Sequence, residues 1–83
     1  MVMLRVKNID EEDKKCVVVY NRKEYTCWYD WHLGEVVVRD SKGKCLPVRT
    51  RFPGFEKYKT WKERYSSQEF KSVLLKEFER LNV

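Results

Sequence analysis

The chain has 83 residues, 42% of them hydrophobic and 37% charged, which makes one domain with a modest core and leaves no run that approaches the ~20 apolar residues of a membrane span. An aromatic content of 14% excludes a disordered chain. Three cysteines without a Cys-x-x-Cys pair exclude a dense disulfide scaffold, and the net charge of +5 favours polyanionic partners such as nucleic acid or an anionic surface.

Val2, Leu4 and Val6 alternate with Met3, Arg5 and Lys7, the period of a strand with one apolar face. The early charges also rule out a signal peptide, so a cytoplasmic protein with reduced thiols is expected. Asp10-Glu11-Glu12-Asp13 sets four acids in a row; they cannot pair with one another and read as a solvated turn. Cys16–Tyr20 is a β-branched run and reads as a second strand. Asn21-Arg22-Lys23 turns the chain, since Asn tolerates the left-handed region. Tyr25, Cys27, Tyr29 and Trp31 then alternate with Thr26, Trp28 and Asp30, a third strand with rings on both faces, broken by His32-Leu33-Gly34.

Glu35–Phe52 reads as a hairpin. Asp40-Ser41-Lys42-Gly43 suits a type I turn followed by a glycine at positive φ, a conformation that a Cβ resists. That turn sets Asp40 opposite Lys44, Val38 opposite Leu46 and Val36 opposite Val48. The four apolar residues share one face, and Glu35, Val37, Arg39, Cys45, Pro47, Arg49 and Arg51 share the other. Pro47 cannot donate a ladder bond and marks an edge or a bulge, so the last strand offers an edge to a partner or, as a homodimer, to a second copy.

Beyond Pro53-Gly54 the period changes. Phe55, Tyr58, Trp61 and Tyr65 recur at spacings of three, three and four, which predicts a helix over 55–65. Ser66-Ser67-Gln68-Glu69 predicts a capping box between Ser66 and Glu69. It opens an amphipathic helix with Phe70, Val73, Leu74, Phe78 and Leu81 on one face and Lys71, Lys76, Glu79 and Arg80 on the other. The chain therefore reads as α+β, a single domain over 1–83: an antiparallel β-meander of about five strands followed by one or two C-terminal helices packed on the sheet.

Catalytic constellations are poor. Cys27 or Cys45 with His32 and Asp30 supplies the groups of a nucleophile–base pair, but nothing in the spacing joins them. Cys16, Cys27, His32 and Cys45 lack the close ligand pairs of a zinc site, and cysteines as small hydrophobes are commoner. With three glycines there is no phosphate-cradling loop. No enzyme, metal or cofactor is expected.

The best-supported constellation is basic with interleaved rings. It comprises Arg39, Lys42, Lys44, Arg49 and Arg51 on the hairpin, then Lys57, Lys59, Lys62 and Arg64 among Phe55, Tyr58, Trp61 and Tyr65. Single strands are bound this way, cations tracking phosphates while rings stack on bases. Tyr58 and Trp61 are read as core, and Trp28 as the ring left exposed. The expected site is Arg39, Lys42, Lys44, Arg49, Arg51 and Trp28.

Val36-Val37-Val38-Arg39-Asp40-Ser41-Lys42-Gly43-Lys44-Cys45-Leu46 resembles the first hairpin of the positive-cofactor-four family, transcriptional coactivators and small bacterial relatives. Ser67-Gln68-Glu69-Phe70 with Val73-Leu74-Leu75-Lys76-Glu77-Phe78 resembles that family's closing helix, and the similarity covers 35–83. It implies a curved antiparallel sheet followed by a helix, a dimer, single-stranded DNA as ligand, and Arg39, Lys42 and Lys44 as phosphate contacts. Tyr58-Lys59-Thr60-Trp61 followed by Ser67-Gln68-Glu69-Phe70 also resembles the two-helix entry of winged-helix tails on phage- and poxvirus-type primase-helicases. The expected function is a small basic nucleic-acid-binding protein acting on single strands, without catalysis and without membrane contact. The alternative is a protein-interaction module, such as a small phage-type inhibitor or regulator of a host or defence protein.

Overall fold

The computed structural model describes residues 3–30, 32–48 and 57–83. Strands β1 (Leu4–Asp10), β2 (Lys15–Tyr20), β3 (Lys23–Asp30), β4 (Glu35–Asp40) and β5 (Cys45–Leu46) precede helices α1 (Trp61–Ser66) and α2 (Gln68–Leu81). The strands lie in sheet order β1-β2-β3-β4-β5, each antiparallel to its neighbour. This is the expected α+β meander with helices packed on the sheet.

The turns follow from aspartates and left-handed residues. Asn21 and Arg22 form the β2–β3 loop with φ of 52° and 64°, the pair of positive angles that a type I′ turn needs. In the β4–β5 loop, Gly43 N–H donates to the Asp40 carbonyl at 3.0 Å and Asp40 N–H to the Lys44 carbonyl at 2.9 Å. Gly43 has φ +85°, as its place in the hairpin demands. Asp40 Oδ1 accepts from the N–H groups of Lys42 and Lys44, both at 2.9 Å. Asp30 Oδ1 accepts from His32 and Leu33 N–H in the same manner, and Asp10 Oδ1 from Asp13 N–H. Each carboxylate replaces water for loop amides that no ladder can satisfy. Val38 pairs with Leu46 as expected, but the ladder stops there. The expected Val36–Val48 pairing does not form, because Pro47 brings no N–H to continue it. Val48 is still buried.

One face of the sheet carries the core. Cys16, Val18, Tyr20, Tyr25, Cys27, Val36 and Val38 meet Trp61, Tyr65, Phe70, Leu74 and Phe78. The Phe78 ring lies 4.8 Å from Tyr20 and 4.9 Å from Tyr25. Tyr65 meets Phe70 edge-on at 5.1 Å, and Trp61 meets Tyr29 at 5.5 Å. Each fully buried ring or leucine contributes about 1.5–3 kcal/mol by leaving water.

Three further expectations are corrected. The α-helix expected over 55–65 begins at Trp61; Lys57 is in a 3₁₀ turn, 58–60 are not helical, and 55 and 56 lie outside the described residues. Thr60 stops it there, with extended backbone and a hydroxyl that accepts from Glu63 N–H at 3.1 Å. The Ser66–Glu69 capping box gives way to a cap one residue later. Ser66 closes α1, while Ser67 Oγ accepts from Phe70 N–H at 3.1 Å and donates to the Arg64 carbonyl at 2.7 Å. The acidic run is more than a solvated turn. Glu11 accepts from Trp61 N–H at 2.9 Å through Oε1 and from Lys62 N–H at 2.6 Å through Oε2, so a carboxylate from the β1–β2 turn satisfies two orphan donors of α1. Val2 and Trp31, assigned above to the first and third strands, lie outside the described residues.

The same turn is held a second time. The Tyr65 hydroxyl donates to the Lys14 carbonyl at 2.6 Å, and burial, with the nearby Cys16 and Cys27 thiols, pushes that phenol well above its ordinary range.

Glu11→Ala is expected to cost about 1–2 kcal/mol in urea unfolding, the worth of a good cap; an unchanged midpoint would remove Glu11 from the account. Because the folded pKa of Tyr65 is raised, its stabilising contribution is complete below the free-phenol value of about 10 and is lost as pH rises above it. The urea midpoint should therefore decline on the alkaline side. Tyr65→Phe should flatten part of that decline, with Tyr25 and Cys27, also raised, contributing to what remains.

Candidate nucleic-acid interface

Strand alternation sends every second residue to the face that the helices leave open. Register aligns Lys7 with Val17, Val17 with Thr26, Thr26 with Arg39 and Arg39 with Cys45. One row thus crosses all five strands, with cations on β1 and β4 and small side chains between them. Beside it lies the row Lys15, Trp28 and Val37, and on its other side Arg5, Val19 and Glu24. Val17, Val19, Thr26, Trp28 and Val37 are half-buried, whereas Arg5, Lys7, Lys15, Arg39 and Cys45 are exposed.

Trp28 and Arg39 are in contact. The guanidinium carbon stands 4.7 Å from the centre of the indole, a cation–π contact worth about 0.5–1 kcal/mol at an exposed site. Among the described residues Arg39 has no carboxylate within ion-pairing distance. Its sequence neighbour Asp40 spends Oδ1 on the turn. Arg39 and Trp28 line a shallow depression with Lys15, Thr26, Asp40, Ser41 and Gly43. Two other cations of this face are compensated, Lys7 by Glu24 at 2.7 Å and Lys15 by Asp13 at 3.7 Å. These are exposed pairs of small net worth that an anionic ligand can displace.

The expected site residues therefore divide. Trp28 and Arg39 come together on the open face, with Lys42 and Lys44 exposed in the adjoining turn. Arg49 and Arg51 lie outside the described residues. Arg5, Lys7 and Lys15 join the face without having been singled out from the sequence. Their signal was the alternation of the first strand, but only the β1–β2 register shows which row they extend.

Among its described residues the second basic and aromatic stretch forms no platform, and Phe55 lies outside them. Trp61 and Tyr65 are buried and Tyr58 half-buried. Arg64 lies over Trp61 at 4.5 Å, with its Nε donating to the Tyr58 carbonyl at 3.1 Å. The thiols separate as well. Cys16 and Cys27 face each other across β2 and β3 in the core, and Cys45 is exposed on the opposite face. A hydrogen bond with Cys16, with burial, raises the Cys27 thiol well above its ordinary range, which keeps it protonated and unsuited to nucleophilic attack. Asp30 engages backbone N–H groups of the loop. Among the described residues no group of three or more His, Cys, Asp or Glu side chains is placed to hold a metal ion, and no helix is long and apolar enough to cross a membrane.

No protein-family model matches the chain, and neither a curated protein nor a solved structure matches it.

The burial pattern makes a chemical test direct. A thiol reagent should modify Cys45 alone in the native protein and reach Cys16 and Cys27 only in denaturant; rapid native reaction of all three would contradict the packing of the β2–β3 pair.

Proposed function

We propose that this protein is a small, non-catalytic nucleic-acid-binding domain that takes a single strand across the open face of its sheet. The observation that carries this reading is the Trp28–Arg39 contact on the one face that the described helices leave uncovered. A ring supplies a sequence-tolerant stacking surface, and Arg39, Lys42 and Lys44 supply cations for the phosphates beside it. Among the described residues the face is shallow and carries no protruding helix to enter a duplex groove, which favours unpaired bases. The resemblance of 35–83 to single-stranded-DNA-binding coactivators points the same way, and Arg49 and Arg51 extend the set of cations in sequence. The free thiols fit a cytoplasmic setting.

Binding of a fluorescent single-stranded dodecamer should be measurable at about 20 mM salt and fall linearly on a log–log plot as salt rises. Trp28→Ala should weaken it by about 1–3 kcal/mol, the worth of one stacked base. Undetectable binding at low salt, or binding indifferent to salt, discards the reading.

Val17, Val19 and Val37 on the same face support a second reading, a protein-interaction module of the inhibitor or regulator kind. Val19→Lys separates the two. An added cation strengthens binding to a polyanion, whereas it breaks an apolar protein contact. Pairing of two copies through a sheet edge has less support. At β1 it would set Arg5 and Lys7 of two chains side by side, and β5 is only two residues long and is followed by Pro47.

A further inference from the structure

Arg39 lies on the very ring that the proposed function needs. Its guanidinium covers a face of the indole, no carboxylate among the described residues holds it there, and its cross-strand neighbours Thr26 and Cys45 are small and uncharged. Five N–H donors are thus parked on a π surface that satisfies none of them fully. Arg39 and Trp28 also line one depression with Lys15, Thr26, Asp40 and Ser41, the Asp40 carboxylate being engaged through Oδ1 by the turn amides. The ring face that a base would use is the one the guanidinium now occupies, and Trp28 shares the lining of that depression with Thr26 and Ser41.

We infer that Arg39 is a displaceable cover on the Trp28 ring: an incoming base takes the ring face, and the released guanidinium takes the adjacent phosphate. This rests on the nucleic-acid reading of the same face and adds to it the order of events at one residue. The exchange is favoured on both sides. The indole trades a cation for a base of matching π area, and the guanidinium trades a ring for a phosphate that accepts two parallel hydrogen bonds. It also protects the free protein, since a covered indole is a poorer target for non-specific hydrophobic contact.

The test uses the full chain, a single-stranded deoxyadenosine dodecamer, and the Trp28 indole N–H resonance assigned by its absence in Trp28→Phe. Arg39→Ala should bind the dodecamer more weakly, with a log K against log salt slope shallower by about 0.7, the share of one phosphate contact on a single strand. The Trp28 indole resonance of that variant should still shift on addition of the dodecamer, because the base keeps its ring. Arg39→Lys should restore the slope. Loss of the Trp28 shift in Arg39→Ala would overturn the inference, since the base would then be stacking on Arg39 itself. An unchanged slope would overturn it too, since Arg39 would then never reach a phosphate; in either case the dodecamer still binds and the nucleic-acid reading stands. A wild-type protein that does not bind the dodecamer removes both. Arg39 is exposed, and matching thermal melts of wild type and variants confirm that each result reports on binding.

Discussion

A sheet has two faces, and this chain brings enough apolar helix for one of them. The 14-residue α2 and the six-residue α1 place Phe70, Leu74, Phe78, Trp61 and Tyr65 against the same side of the strands. Since side chains alternate with a period of two, fixing the buried row fixes the wet row as well. Cys27 opposite Val38 on the core side requires Thr26 opposite Arg39 and Trp28 opposite Val37 on the other. A slip of one residue would drive Arg39 under the helices and Val38 into water, a cost no surface contact offsets. The geometry of the open face is thus set by the packing of the closed one.

Polar ties around the rim keep the helical layer in place without touching that open face. Glu11 caps α1, and Tyr65 bonds the Lys14 carbonyl of the same turn. At the other side of the sheet, Arg80 pairs with Glu77 and donates from Nη2 to the Pro47 carbonyl at 2.9 Å, where the β4–β5 ladder has just ended. Each tie satisfies backbone groups that the secondary structure leaves over, so the same contacts hold elements together and meet the hydrogen-bonding demand of chain ends and corners.

What could be read in the sequence was what local chemistry decides. The β4–β5 turn, with Gly43 at positive φ, follows from four adjacent residues, and the inward faces of Val36, Val38 and Leu46 follow from that turn. Trp28 could be placed on the face opposite Tyr25 and Tyr29 by alternation alone. The start of α1 was legible locally, since Thr60 and Glu63 have the spacing of a capping box; the second tie, from Glu11 50 residues away, was not. Nor could Ser66 be told from Ser67 as a cap, since Ser67 is chosen by its contacts with both Arg64 and Phe70. Arg5, Lys7 and Lys15 escaped notice as members of the face for the same kind of reason. Their place depends on a β1–β2 register that shifts between Lys7 and Asp10, where Asn8 takes φ 51°, and no local pattern announces that irregularity.

The composition of the open face separates what the sheet needs from what it does not. Val17, Val19, Thr26 and Val37 are β-branched, and strands favour them on a half-exposed surface whatever the protein does; their presence is explained by the fold. Lys7 and Lys15 are matched by Glu24 and Asp13 and suit an ordinary solvated surface. Trp28 and Arg39 are different. The indole stands opposite Val37 on the open side of β3, and the guanidinium lies 4.7 Å from its centre with no carboxylate partner among the described residues. Neither residue is among the described members of the core. An uncompensated arginine against a ring, beside a turn carrying Lys42 and Lys44, is the grouping on which the proposed binding face rests.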